Sequence, residues 1–196
     1  MTNEGGHTYP MTIRSGGKDV VLRYGKPGDK ASVLAMSRAL PPHDLLFLAR
    51  DLTKEDVVEE WLADEATTKL LAVHGDQVLG YAAIHELPMP WSSHVAELRV
   101  LVDISMRGKG LGRVLTQEAF ALALVAGKEK MIGQMTLDQK GAIAVFEGLG
   151  FRPEALLRDH VKDRNGDKHD LLVLSHEVAR FAAQRAAYGV NEAFGQ

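Results

Sequence analysis

The chain has 196 residues, 45% of them hydrophobic and 25% charged, and contains no cysteine. That balance fits one soluble globular domain better than two. It excludes disulfides, a thiolate zinc site and a cysteine nucleophile; the lack of cysteine is compatible with a reducing cytoplasm, the expected location. Basic residues number 23 against 26 acidic, a net charge of -3, so no strong basic field is available to hold nucleic acid. No apolar run approaches the ~20 residues of a membrane span. Neither nucleic acid nor membrane is therefore expected as a partner.

Met1 to Pro10 is polar, lacks a signal-peptide core and reads as a loose tail. Met11–Arg14 and Val20–Tyr24 are spaced to pair across Ser15-Gly16-Gly17. Pro27 and Asp29 open a predicted helix over Lys30 to Ala39, which Pro41-Pro42 stops. Thr53 is placed to cap a second helix, Lys54 to Glu65, with Val57, Val58, Trp61 and Leu62 on its apolar stripe. Lys69–His74 and Gln77–His85 flank Gly75-Asp76 as a hairpin, and His94 to Val102 is a third strand. Leu111 to Ala126 carries Leu111, Val114, Leu115, Ala119 and Leu122 at helical spacing, with Gly127 at its end. Met131–Leu137 reads as a strand, and Asp138 as the cap of a helix running through Glu147. A strand from Phe151, a turn at Asn165-Gly166, a strand at His169–Leu174 and a helix from Glu177 to Tyr188 complete the chain. In the turn, Arg164 with Asp167 and Asp163 with Lys168 are expected to pair, leaving His160 and His169 on the surface. The mixed order implies an α/β fold in which 95 to 137 forms a right-handed strand–helix–strand crossover.

Arg107-Gly108-Lys109-Gly110-Leu111-Gly112 joins a predicted strand to a predicted helix. Alternating glycines clear side chains from the path of a ligand. The first amides of a helix lack internal partners and favour an anion. Arg107, Lys109 and Arg113 add positive charge, so the loop is a candidate pyrophosphate cradle. A P-loop would require Ser or Thr after the lysine, where Gly110 stands. A dinucleotide fingerprint would place its third glycine three residues beyond the second, whereas Gly108, Gly110 and Gly112 are two apart. A glycine-rich surface turn with exposed basic residues is the structural alternative.

Here the chain resembles the GNAT N-acetyltransferase superfamily. Arg107, Gly110 and Gly112 match its Gln/Arg-x-x-Gly-x-Gly/Ala motif, and Glu97–Asp103 matches the strand leading into it. Ala144-Val-Phe-Glu-Gly-Leu-Gly-Phe151 resembles its second motif. The resemblance spans Val20 to Ser175. It implies an α/β (α+β) fold with a mixed, mostly antiparallel sheet of six to seven strands flanked by helices. It also implies three regions: a tail or extra strand over 1–19, the acetyltransferase domain over 20–175 and a helical extension over 176–196. Acetyl-coenzyme A would be the acyl donor, with no metal. The backbone of Val100, Leu101 and Val102 would line the pantetheine arm. The amides of Arg107, Gly108, Lys109, Gly110, Leu111 and Gly112 would hold the pyrophosphate. Gln139 stands where the family often has Asn and would hydrogen-bond the pantetheine amides, and Phe146 is likewise expected at the coenzyme site. Phe146 takes the place of the tyrosine that protonates the leaving thiolate in many members, so a coenzyme A-binding module without turnover is the alternative to an enzyme. Tyr24 and Tyr81 are other candidate donors only if the fold brings them near.

Acylating an amine requires removing its proton, and Glu97, an acid in the otherwise apolar strand Val95–Val102, is the candidate base. Burial would raise its pKa; the structural alternative is a salt bridge to Arg99, two residues on and on the same face. Its position is similar to that of the proposed catalytic glutamate in bacterial protein-lysine acetyltransferases of the superfamily, and Leu40-Pro-Pro-His-Asp44 loosely resembles the same group. The expected acceptor is a small-molecule amine or a protein lysine. Asp51 to Glu65 holds seven acidic residues and one lysine; it would form either a negative rim to the acceptor groove or simply the solvated face of a helix. The eight histidines show no helical zinc spacing. The last helix would cover the sheet within the monomer or join a partner chain in a homodimer.

Overall fold

The computed structural model describes residues 8–48, 50–87 and 89–178. Eight strands form one sheet in the order β1-β2-β3-β4-β5-β6-β8-β7. They are β1 (Met11–Ser15), β2 (Lys18–Tyr24), β3 (Thr67–His74), β4 (Gln77–Glu86), β5 (Val95–Val102), β6 (Lys130–Thr136), β7 (Arg152–Lys162) and β8 (Lys168–Glu177). Each neighbouring pair is antiparallel except β5 with β6, which is parallel. That exception follows from the crossover helix α3 (Leu111–Val125), which returns the chain to the same end of the sheet. The sheet is mixed and mostly antiparallel, as expected, with eight strands rather than six or seven.

Apolar side chains alternate along the strands, so each face of the sheet buries its own core. One face joins Leu70, Ala72, Leu79, Ala82, Ile84, Ala96 and Leu98 to Leu111, Leu115, Ala119 and Leu122 of α3 and to Phe146 of α4 (Lys140–Gly148). The other joins Leu71, Val73, Tyr81, Ala83 and Leu101 to Val33 and Met36 of α1 (Lys30–Arg38) and to Val58, Trp61 and Leu62 of α2 (Glu55–Ala63). Burying both faces explains why β3 and β4 read as near-continuous apolar runs.

Local details depart from the expectations. Thr53 does not cap α2, because its hydroxyl donates to Asp51 at 2.5 Å; Lys54 takes the N-cap position without a side-chain bond. Asp138 does not cap α4 either. It accepts from Thr136 Oγ1 and pairs with His43, leaving Gln139 at the cap. In the β7–β8 turn, Asp163 accepts the amides of Asn165 and Asp167 and meets His169 at 3.2 Å, rather than pairing with Lys168. Arg164 reaches Asp51 at 3.7 Å, not Asp167. Close to the start, Tyr9 is anchored rather than loose: its hydroxyl donates to Glu118, and its ring packs edge-on against Tyr24. The expected helix from Glu177 begins with the last residue of β8, and its remainder past Val178 lies outside the described residues. On α2 the acidic side chains face solvent, with Glu55 and Glu59 bound to Lys30.

Candidate active site

β5 and β6 pair through Val95, Ala96 and Glu97 and no further. Beyond Glu97 they part, and a cavity of about 780 Å³ lies beside Val100, Leu101 and Val102 of β5 and residues 138 to 142, 145 and 146 opposite. Asp103 N–H bonds Leu79 on β4. Alternation along the strand then turns the amides of Val100 and Val102 to the other edge, where no strand is paired to take them. The fork therefore supplies unclaimed main-chain donors along one wall.

At the wide end, Gly108 (φ 69°) and Gly110 (φ 83°) take left-handed conformations that side chains disfavour. A Cβ at either would meet nothing within 4 Å, so the glycines serve backbone shape and leave open space above it. Gly110 caps α3, and the first intrahelical bond runs from Val114 N–H to Gly110 O at 3.2 Å. The amides of Leu111, Gly112 and Arg113 are thus left without intrahelical acceptors. Gly108, Gly110, Gly112, Arg107 and Arg113 all line the cavity. Such a helix N-terminus is a ready anion site.

Not every expected residue lies on the cavity wall. Lys109 packs its side chain against Gly16 in the β1–β2 turn, and its carbonyl accepts from Ser15 Oγ at 3.0 Å. Leu111 is fully buried in the core, so only its backbone is available. Gln139 and Phe146 line the cavity, and Phe146 lies so close to Gly133 that a Cβ there would come within 2.4 Å of the ring. Tyr81 is buried against Trp61, and burial raises its phenol pKa; Tyr24 is on β2, and neither lines the cavity.

Sequence reading missed the 3-10 turn Pro42–Phe47, whose His43 and Asp44 line the cavity. Asp44 is ion-paired with Arg107 on one lip, and His43 with Asp138 at 2.7 Å on the other. These partners are 63 and 95 residues apart in the chain, beyond the reach of any local pattern.

Glu97 lies at the point of the fork, outside the residues that line the cavity. Its carboxylate meets Arg99 at 2.6 Å, so the salt bridge named as the structural alternative forms. Burial nevertheless raises its pKa, outweighing the opposing charge and hydrogen bond of Arg99. Across the β4–β5 ladder its register partner is His85, whose Nδ1 lies 3.3 Å from Thr67 Oγ1. Among the described residues no group of three or more His, Cys, Asp or Glu is arranged to hold a metal, and no helix is long and apolar enough to cross a membrane.

Known proteins agree with this architecture. YwnH of Bacillus subtilis (strain 168), named as a candidate phosphinothricin acetyltransferase, is 27% identical over 132 residues, covering 65% of this chain and 80% of that protein. The crystal structure of an N-acetyltransferase from Staphylococcus aureus Mu50 superposes with a TM-score of 0.71 at 18% identity, over 81% of this chain and 98% of that one. Ribosomal-protein-alanine N-acetyltransferase from Brucella melitensis superposes at 0.70 with 24% identity, over 80% and 98%. The yncA structure from Salmonella typhimurium, which contains acetyl-coenzyme A, superposes at 0.70 with 20% identity, over 81% and 94%. The Acetyltransferase (GNAT) family profile matches residues 38–151, more than half of the sequence, and the chain belongs to that family.

Proposed function

We propose that the protein transfers an acyl group, acetyl in the first instance, from acetyl-coenzyme A to a primary amine by direct attack. The observation that carries this reading is the fork: β5 and β6 separate immediately after Glu97, with a glycine-lined helix N-terminus at the other end of the same opening. In this reading the amides of Gly108, Gly110, Leu111, Gly112 and Arg113 hold the diphosphate, those of Arg107 and Lys109 being taken by the carbonyls of Ile104 and Met106, and the free edge of Val100–Val102 pairs with the pantetheine arm. Gln139 is within the same cavity to bond its amides. An amide of β5 would polarise the thioester carbonyl.

A lysine-like ammonium of pKa ~10.4 must lose a proton before it can attack. Glu97 takes that proton, helped by the pKa that burial raises. The nitrogen then forms a bond to the carbonyl carbon and gives up its second proton to solvent, the carbon–sulfur bond breaks, and the thiolate leaves. Phe146 offers no proton. A thiol of pKa ~8.5 leaves as an anion that solvent can protonate. The acceptor is a small-molecule amine or a protein lysine; the name of the Bacillus relative favours the small molecule.

Thiol release from acetyl-coenzyme A should be followed with α-amino acids, diamines and lysine peptides as acceptors. Glu97→Gln is expected to lower kcat about 100-fold while coenzyme affinity stays within about twofold. An unchanged rate removes Glu97 from the mechanism. Coenzyme binding without thiol release on any acceptor favours the second reading, a coenzyme-binding regulatory module, for which the observation is Phe146 at the usual position of the acid.

A further inference from the structure

We infer that His85 is a second residue of the acceptor site, its Nε2 accepting a hydrogen bond from the incoming amine and holding it against Glu97. The inference rests on the assignment of Glu97 as base and extends it to a residue that no local motif marks.

His85 and Glu97 are register partners in β4 and β5, so their side chains rise from the same sheet face. Counting along the ladder from the Asp103–Leu79 bond makes them a hydrogen-bonded pair, with Cα atoms about 5.5 Å apart. Thr67 is the next residue across, opposite His85 on β3. Its hydroxyl donates to Asp64 Oδ2 at 3.1 Å. An ionised carboxylate can only accept, so the single hydroxyl proton is committed there. Thr67 Oγ1 can therefore only accept at its 3.3 Å contact with His85 Nδ1. The proton of the neutral ring is thereby fixed on Nδ1, and Nε2 carries a bare lone pair. Among the described residues Nδ1 makes the ring's one hydrogen bond, and the half-buried side chain stands on the face that carries Glu97.

The surroundings keep the ring neutral. Burial acts first, followed by the charges of Arg99, Arg50 and Lys69 against the opposing Asp64, and the imidazole is pushed down to about 4. A neutral acceptor suits this step. A second carboxylate beside Glu97 would stabilise the ammonium and oppose its deprotonation. A neutral imidazole orients the nitrogen without that penalty. One ammonium proton passes to Glu97, and the freed lone pair attacks the thioester carbon while one remaining N–H stays hydrogen-bonded to His85. As the amide forms, the second proton leaves to solvent, which protonates the departing thiolate.

The test uses the full chain, acetyl-coenzyme A and the acceptor of the panel above that turns over fastest. His85→Asn keeps a donor toward Thr67 and deletes the acceptor, whereas His85→Gln puts an amide oxygen near the place of Nε2. His85→Asn should lower kcat/KM for the amine by about tenfold, with coenzyme A affinity within about twofold of the parent, and His85→Gln should recover part of the loss. Thr67→Val keeps the ring but releases its tautomer, and should cost about two- to fivefold. The inference is overturned if His85→Asn retains the parent rate, or if both His85 variants lose activity and coenzyme affinity in parallel. Should both His85 variants fail to fold, an unchanged rate in Thr67→Val overturns it. Loss of rate in Glu97→Gln with none in His85→Asn removes this inference alone. A normal rate in Glu97→Gln, or no thiol release across the panel, removes both assignments.

Discussion

Glu97 experiences two opposing influences, and their balance sets how it titrates. Burial disfavours its charge, while Arg99, 2.6 Å away, favours it, and burial prevails. Removing the guanidinium leaves the first influence unopposed, so the carboxyl pKa rises further. A base works only when ionised, and the acid limb of kcat should move with that pKa. Arg99→Gln is therefore expected to shift the acid limb to higher pH; a limb that stays put or moves lower would show that another group titrates there. Glu97 could be picked out from sequence because it is an acid in an apolar strand, and Arg99 because it follows at spacing two. Of the two readings of Glu97, the ion pair with Arg99 is present, and the base is the proposal. His85 could not be found in the same way, because its relation to Glu97 exists only in the register of β4 against β5.

At the scale of elements, the β4–β5 ladder holds the wall of the cavity, and Gly80 lets it close. A Cβ at Gly80 would lie 2.8 Å from the carbonyl oxygen of Leu101 and 3.2 Å from Leu115. Neither neighbour can give way cheaply, since one is strand backbone and the other is core. Gly80→Ala is expected to cost about 1–3 kcal/mol in urea unfolding and to weaken coenzyme binding by displacing the Leu101 segment. Gly28→Ala is the control: it meets nothing within 4 Å and should stay within about 0.5 kcal/mol. Equal stability in the two variants would mean that the ladder relaxes around the methyl. Strands and helices were legible because their apolar periods were strong. Helix starts were less so: Thr53 and Asp138 have capping chemistry, but Asp51 takes the first hydroxyl, and Thr136 and His43 occupy the second carboxylate. A local signal cannot show that its side chain is already committed elsewhere.

Across the whole molecule, the helices of the two faces have different tasks. α1 and α2 cover β3 and β4, whereas α3 returns the chain in parallel beside β5 and leaves its N-terminus at the open fork. The glycine loop was legible because its conformation depends on residues adjacent in sequence; the Asp44–Arg107 closure depends on the completed fold. A ligand held by β5 and the starts of α3 and α4 at once would bind only the folded state, and so stabilise the domain by mass action. Coenzyme A at 100 times its Kd should add about 2.7 kcal/mol, which for a chain of this length raises Tm by roughly 5–10 °C. Pantetheine carries the same thiol arm without phosphates and can engage only the β5 edge. If the amides at the start of α3 supply the main grip, pantetheine at equal concentration should raise Tm far less, and the gap should narrow as salt screens the anion. Matching shifts from the two compounds would place the grip on the arm rather than on the diphosphate, and no shift from either would leave the glycine loop without a ligand.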